Sequence, residues 1–117
     1  MSMRSAILIG LALTVGFVAL ALKAVEADAK RLPQNYALWI KIGRCEQPGK
    51  GYRGVYWAHP GPTYQGGLGF FHRTWDYYKP RGYPADAGQA TWRQQMRVAN
   101  RVAADVGFTA WGCYRGR

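Results

Sequence analysis

The sequence predicts a small, mostly helical domain preceded by an N-terminal apolar helix. Three observations predict this class. Residues 6–22 form an apolar run without charge, residues 89–106 show a strong helical period, and residues 37–47 show a shorter one. At 117 residues the chain has room for one small domain.

The N-terminal run has two main interpretations, with a buried core helix as a further alternative. Arg4 precedes it and small residues follow it, in the charged, apolar, polar order typical of a secretory signal peptide. Its 17 residues also reach the lower limit for a membrane-spanning helix. We expect residues 1–29 to be either a signal peptide or an anchor that holds the chain to a membrane through residues 6–22. Both alternatives place the rest outside the cytoplasm, secreted or anchored: a linker over 30–35, a domain over 36–113 and a basic tail over 114–117.

The first helix of the domain is predicted over residues 37–47, where apolar side chains recur at helical spacing. Asn35 is expected to cap its start, and Pro48 to end it. Glu46 therefore lies at a helix end beside a Pro/Gly turn. Such a position can hold a carboxyl group at the wall of a cleft.

The middle of the chain has no clear period. Residues 47–65 are rich in Gly, Pro and Tyr and predict a long loop or irregular hairpin. The Gly-rich turn over 64–70 lets the backbone approach a ligand closely, although a plain tight turn is the alternative. Residues 72–78 predict a short helix that Pro80 stops, and a second loop follows.

The clearest helix is predicted over residues 89–106, with Gly107 as its stop. Its buried stripe is expected to consist of residues spaced three or four apart: Trp92, Met96, Ala99, Ala103 and Val106. Arg93, Arg97 and Arg101 form a row on the opposite side, which we interpret as a solvated face.

The chain is strongly basic, with 16 Lys and Arg against six Asp and Glu and a net charge of +10. This excess indicates a polyanionic partner: nucleic acid, an anionic membrane or an acidic cell-wall polymer. Two cysteines behind an apolar leader favour a disulfide in an oxidising compartment, two free thiols being the alternative. A bond between Cys45 and Cys113 would stabilise the fold by roughly 4 kcal/mol in the chain-entropy model.

Glu46 is the only glutamate after the leader. We interpret it as a catalytic acid, with an exposed helix-end carboxylate as the alternative. His59 and His72 are isolated, and the cysteines and histidines lack the spacing of a zinc finger. No metal site and no cofactor are predicted.

Four motifs occur in order along the chain: Cys45-Glu46, the Gly-rich turn 64–70 followed by Thr74-Trp75, the long helix, and Ala-Trp-Gly-Cys at 110–113. With these motifs the sequence resembles the catalytic domain of the resuscitation-promoting factors, lysozyme-like, transglycosylase-type muralytic proteins of actinobacteria. The resemblance covers about residues 36–113. It implies a small lysozyme-like α+β fold, mostly helical, that cleaves the glycan strands of peptidoglycan. It also implies the Cys45–Cys113 disulfide and Glu46 as the catalytic acid.

The resemblance also suggests residues that contact the sugar. Thr74 is expected to form a hydrogen bond near the reacting bond, and Tyr64 and Trp75 to stack on sugar faces. Gly67 belongs to the turn whose backbone approaches the substrate. A core position is the alternative for Trp75.

The sequence departs from the family pattern at three places. Pro48 and Lys50 alter the turn where the family usually has Cys-Glu-Ser-Gly-Gly-Asn-Trp. Gly69 stands in place of the Gln of Gly-Gly-Leu-Gln-Phe, and Val106 in place of a Gln near the end of the long helix. The resemblance therefore supports the role of Glu46 as the acid more strongly than it supports the individual sugar contacts.

The chemistry expected at Glu46 needs one acid. Asp76, Asp86 and Asp105 are interpreted as solvated surface groups rather than as a second catalytic carboxylate. Glu46 would protonate the bridging oxygen, and a hydroxyl of the sugar would attack its own anomeric carbon to give a 1,6-anhydro product. Hydrolysis by water, the muramidase reaction, stays open.

The expected partners are peptidoglycan glycan strands and, through the basic surface, anionic cell-wall polymers. A weakly catalytic or non-catalytic glycan-binding module is the main alternative to an enzyme. A nucleic-acid-binding protein, which charge and aromatic content alone would suggest, is disfavoured because an export segment puts the chain in the wrong compartment.

Overall fold

The computed structural model describes residues 19–23 and 31–115. The chain divides into two compact units, Met1–Arg31 and Leu32–Arg117. In the first unit residues 19–23 are helical. Most of the apolar run 6–22 lies outside the described residues, so the signal peptide or anchor stays a prediction. Within 19–23 and 31–115, no helix combines the length and apolar character needed to cross a membrane.

The second unit is built from short helices and one small sheet. In its described part the α-helices are α1 Tyr36–Glu46, α2 His72–Tyr78, α3 Trp92–Val106 and α4 Gly112–Arg115. Three 3₁₀ turns lie between them, at Tyr52–Gly54, Ala87–Gln89 and Phe108–Ala110. Strands β1 Tyr64–Gln65 and β2 Phe70–Phe71 form an antiparallel hairpin in which Tyr64 is opposite Phe71 and Gln65 opposite Phe70. The mostly helical α+β class is confirmed.

Helix α1 forms where the sequence predicts it and ends at Glu46. Its inner side is buried, and Gly43 allows the closest approach, because a Cβ at this position would lie 2.9 Å from a methyl group of Val55. The predicted side-chain cap is wrong. Asn35 adopts a left-handed backbone with φ of 58°, and its amide donates to Asn100 Oδ1 on α3 at 3.0 Å. The Asn35 side chain thus makes a contact with a helix distant in sequence and forms no cap bond to its own helix.

Helix α3 begins at Trp92 rather than at residue 89, because Thr91 caps it. The Thr91 side chain accepts the N–H of Gln94, and the Gln94 side chain accepts the N–H of Thr91. The buried face of α3 consists of Gln95, Met96, Val98, Ala99 and Val102. Met96 and Ala99 of the expected stripe are in this face. Val106 is not, and is 56% exposed, because the last turn of the helix extends past the core.

The core lies between α1, α2 and α3, with Trp39, Trp75 and Trp111 at its centre. Trp39 and Trp111 meet edge to face with 4.7 Å between ring centroids. The indole N–H of Trp111 donates to the carbonyl of Leu68 in the Gly-rich turn at 3.0 Å. The segment after α3, residues 108–115, which we call the C-terminal segment, is therefore attached both to the first helix and to the hairpin.

The Cys45–Cys113 disulfide is present and joins the last turn of α1 to the start of α4. The two cysteines are 68 positions apart in sequence. The bond therefore fixes the position of Glu46, the residue after Cys45, relative to the C-terminal segment.

Gln95 is the polar centre of the fold and is fully buried. Its side-chain oxygen accepts the N–H of Gly67 at 2.8 Å, and its amide nitrogen donates to the carbonyls of Trp57 and Ala90 at 2.9 and 3.0 Å. One side chain thus joins the long loop, the Gly-rich turn and the segment before α3.

We expect Gln95→Met to lower the free energy of unfolding by about 3 kcal/mol or more, because three buried backbone groups lose their partner at once. The measurement is urea denaturation, with an unchanged slope and a lower midpoint. Gln89→Met, at an exposed position, is the matched control. Equal midpoints for the two variants would contradict the role of Gln95 in holding these three segments together.

Candidate active site

A cleft of about 700 Å³ opens where four parts of the domain meet. The end of α1, the hairpin, α2 and the junction of α3 with the C-terminal segment form its walls. It is lined by Glu46, Gln47, Tyr64, Gly69, Phe70, Phe71, Thr74, Tyr78, Val102, Val106, Ala110, Trp111 and Gly112. Its size suits a ligand of a few rings.

Glu46 is half-buried in this cleft. Its Oε1 accepts the backbone N–H of Cys113 at 3.0 Å. The carboxyl group is therefore held from two directions, by the end of α1 and by the segment that the disulfide attaches to it. The second oxygen, Oε2, points toward Gly69, where an added Cβ would lie 3.9 Å from it.

Gly69 has no side chain, which leaves open space next to the carboxyl group of Glu46. Its φ of +63° is a left-handed conformation that glycine adopts without strain. The amide nitrogen of Gln47 lies 3.8 Å from the same added Cβ that Glu46 Oε2 approaches. The carboxyl of Glu46 and the amide of Gln47 therefore face one small volume over Gly69.

The opposite wall carries hydroxyl groups and rings. Thr74 and Tyr78, one turn apart on α2, both line the cleft. Tyr78 donates to Asp105 Oδ2, and this hydrogen bond raises the pKa of Tyr78 above its usual value. The rings of Tyr64 and Phe71 pair across the hairpin at 4.8 Å between centroids, and both are about half exposed.

Among the described residues that line the cleft, Glu46 carries the sole carboxyl group. The other described acids have partners elsewhere: Asp76 lies 3.5 Å from Lys79 Nζ, and Asp86 lies 3.3 Å from His72 Nδ1. Asp105 accepts from Tyr78 at the rim. In residues 19–23 and 31–115 no cluster of three or more His, Cys, Asp or Glu side chains is placed to hold a metal ion.

A family model described as Transglycosylase-like domain matches residues 34–114. The chain belongs to this family. It is similar to the resuscitation-promoting factor Rpf1 of Corynebacterium glutamicum, with 38% identity over 74 residues, 62% of this chain and 35% of Rpf1. It is also similar to RpfC of Mycobacterium tuberculosis, with 34% identity over 104 residues, 89% of this chain and 67% of RpfC. The chain spans only about a third of the length of Rpf1 and 22% of that of Rpf2 from the same bacterium as Rpf1. The resemblance to resuscitation-promoting factors is confirmed.

The transglycosylase-like domain brings three of the predicted site residues together. Glu46, Tyr64 and Thr74 all line the cleft, although they come from α1, β1 and α2. Two of the three departures from the family pattern, Gly69 and Val106, line it too. The cleft thus coincides with the stretches that carry the family motifs.

Two predicted contacts need correction. Trp75 is fully buried, and its indole N–H donates to the carbonyl of Pro84 at 2.9 Å, so no ring face is free for a sugar. Gly67 is also buried: its N–H is taken by Gln95, and a Cβ there would lie 2.5 Å from atoms of Trp57 and Val55. Trp75 and Gly67 support the cleft from behind.

Two polar residues of the cleft, Gln47 and Tyr78, were not predicted as site residues. Gln47 directly follows the acid, and Tyr78 lies four positions after Thr74, on the same side of α2. Helical spacing from Thr74 is the signal that would have found Tyr78.

Proposed function

We propose that this transglycosylase-like domain cleaves the glycan strands of peptidoglycan, with Glu46 as the general acid. The observation that carries the proposal is a half-buried glutamate that is the one carboxyl group among the described residues of a sugar-sized cleft. Family membership supports the substrate class.

The first step is proton transfer. Glu46 gives its proton to the oxygen that bridges two sugars, and the bond from the anomeric carbon to that oxygen breaks. The hydrogen bond from Cys113 holds Oε1, so Oε2, which faces the open space over Gly69, is the oxygen placed to deliver the proton. The leaving sugar departs with a new hydroxyl group.

The second step closes a ring. A two-carboxylate mechanism needs a second acid near the anomeric carbon, and the described cleft lining offers none besides Glu46. The C6 hydroxyl oxygen of the same sugar attacks the anomeric carbon, and Glu46, now a carboxylate, takes the hydroxyl proton. The product is a 1,6-anhydro sugar, no water is consumed, and Glu46 ends in the protonated form in which it began.

The remaining wall residues orient the strand. Tyr64 and Phe71 offer exposed ring surface for sugar faces, and Thr74 offers a hydroxyl. The disulfide also suits a site of action outside the cytoplasm, where such bonds persist. Secretion or anchoring through residues 6–22, and attraction to an anionic wall through the basic surface, belong to the same proposal.

Mass spectrometry of the fragments released from purified sacculi tests the reaction. Anhydro ends and reducing ends differ by the mass of one water molecule. Anhydro ends alone are expected. Reducing ends alone would assign hydrolysis instead and contradict the ring-closing step.

A glycan-binding module with little activity is the second candidate. It is favoured by Gly69 and Val106, which put no polar side chain at two positions of the cleft wall. Binding to sacculi without release of fragments by the unaltered protein would support this candidate.

Gln47 is the side chain that we expect to orient the substrate beside Glu46. Gln47→Ala should lower the cleavage rate about tenfold, because a hydrogen bond made next to the reacting bond is lost. Fragment release from sacculi measures the rate, and Gln89→Ala, at an exposed position outside the cleft, is the matched control. An unchanged rate for Gln47→Ala would remove Gln47 from the site.

A further inference from the structure

A second organised surface lies on residues that do not line the cleft. We call it the basic face and define it as Arg44, Tyr52, Arg53, Trp92 and Arg93. The rings of Tyr52 and Trp92 stack nearly parallel, with 4.5 Å between centroids and 8° between planes. Arg53 lies over the Tyr52 ring at 5.8 Å, and Arg93 lies over the Trp92 ring at 4.2 Å. Cations and rings thus form one continuous stack.

Two of the three guanidinium groups of this face, those of Arg44 and Arg93, are held by neighbouring groups. Arg44 Nε donates to the carbonyl of Arg53 at 2.6 Å, which ties α1 to the 3₁₀ turn. Arg53 itself has φ of 57°, a left-handed conformation that is uncommon outside glycine. Arg93 Nε is buried without an acceptor. Arginines that are merely solvated at a surface do not require such contacts, which indicates that this face is organised.

The basic face also lacks acids. Of the carboxylates in the described residues, Glu46 lies in the cleft, and Asp76, Asp86 and Asp105 have partners on or near α2. No ion pair in the described part of the chain joins a carboxylate to Arg44, Arg53 or Arg93. Side-chain hydrogen bonds with Tyr36 and with Arg53, together with the charges of Arg53 and Arg93, lower the pKa of Tyr52. Positive charge is therefore concentrated here without an internal counterion.

A hollow of about 560 Å³ adjoins the stack at Tyr52. Its lining is mostly backbone and aromatic surface, contributed chiefly by Gly49, Lys50, Gly51, Tyr52, Tyr56 and Trp57. Tyr52 and Tyr56 are 41% and 43% exposed. A shallow aromatic hollow edged by Lys50 and Arg53 has the amphipathic character that a sugar ring with an anionic substituent requires.

We propose that the basic face and its hollow bind a polyanionic polysaccharide, a glycan that carries carboxylate, phosphate or sulfate groups. The guanidinium groups pair with the anionic substituents, and the hollow takes a sugar ring. Bound in this way, the protein is held next to neutral glycan strands while the cleft remains free.

A polysaccharide fits this surface better than nucleic acid does. Bases need free ring faces on which to stack, whereas Trp92 is already covered by Tyr52 and Arg93. Beside the stack, the exposed surface of Tyr52 and Tyr56 lies in the hollow, where a sugar ring can be placed next to the guanidinium groups that pair with its anionic substituent. The preference for a wall polysaccharide also uses the proposed function, since such a polymer would lie beside the glycan substrate.

The test compares two double variants of the full-length, disulfide-bonded protein with equal loss of charge. R44Q/R53Q removes two cations of the basic face, and R73Q/R81Q removes two exposed cations that lie outside it. Binding to fluorescein-labelled polygalacturonate is measured by anisotropy, with neutral dextran and duplex DNA as reference polymers. Thermal unfolding checks that each variant is folded.

We expect R44Q/R53Q to weaken polygalacturonate binding about tenfold and R73Q/R81Q to weaken it less than about threefold. Equal loss in both variants would show that net charge alone governs binding and would overturn the proposal. Equal affinity for neutral dextran, or tighter binding to DNA with the same dependence on Arg44 and Arg53, would overturn it as well. The assay measures binding and does not depend on cleavage. An inactive cleft would therefore contradict the proposed role of Glu46 without affecting the test of the basic face.

Discussion

Replacing Glu46 by Gln is expected to lower the rate of glycan-strand cleavage by about 10²- to 10⁴-fold, the range that a positioned general acid contributes. The change is nearly isosteric. The amide oxygen that the E46Q variant carries can still accept the N–H of Cys113, so the cleft and the C-terminal segment keep their positions. What the variant loses is a proton that can be given to the bridging oxygen and taken back. Fragment release from purified sacculi measures the rate.

The matched control is Asp76→Asn, which removes the same charge from an exposed site on α2 outside the cleft. It should cleave at the rate of the unaltered protein. Sacculus clearing by E46Q at that same rate would contradict the general-acid role. Loss in both variants would point to charge and binding rather than to proton transfer.

The positions of α1, α2 and α3 could be predicted because their stop signals are local, whereas α4, which extends into the predicted basic tail, was not predicted. Pro48 follows α1 closely, Pro80 follows α2, and Gly107 directly follows α3. The residue before a proline is pushed out of the helical region, and Lys79 indeed has an extended backbone with ψ of 142°. The predicted and observed bounds of α2 are therefore the same.

The failures concern contacts between distant parts of the chain. Asn35 was expected to cap its own helix, but it makes no cap bond, and its side-chain amide donates to Asn100, 65 positions away. Trp75 follows the cleft residue Thr74, yet adjacent helical residues point in directions about 100° apart. Which of the two faces the cleft depends on where the hairpin packs. Sequence periodicity does not carry that information.

The acid itself is a case in which local and distant information agree. Its place at the end of α1, beside a Pro/Gly turn, indicates a cleft wall from sequence alone. The hydrogen bond from Cys113 to Glu46 becomes visible only in the fold. Gln95 is a stronger example of what the sequence does not reveal. An amphipathic pattern does not indicate that a glutamine is buried and forms hydrogen bonds to three separate segments.

Removing the disulfide is expected to lower the free energy of unfolding by roughly 4 kcal/mol, the loop-closure value for cysteines that are 68 positions apart. Small domains are stable by about 5–15 kcal/mol. The loss would therefore take a large share of the total. The experiment is urea denaturation of the protein with and without dithiothreitol, beside the variant C45A/C113A. Dithiothreitol should shift the midpoint of the unaltered protein and leave that of the variant unchanged.

The same bond should matter for catalysis below the unfolding transition. Cys113 supplies both a sulfur to the bridge and the N–H that Glu46 Oε1 accepts, so cutting the bridge frees the group that orients the acid. We expect C45A/C113A, assayed at a temperature where circular dichroism shows it folded, to cleave sacculi at least about tenfold more slowly, as a misplaced acid loses its orientation. If C45A/C113A, corrected for its folded fraction, cleaves as fast as the unaltered protein, the bridge acts on stability alone and Glu46 is oriented by α1 without help from the C-terminal segment.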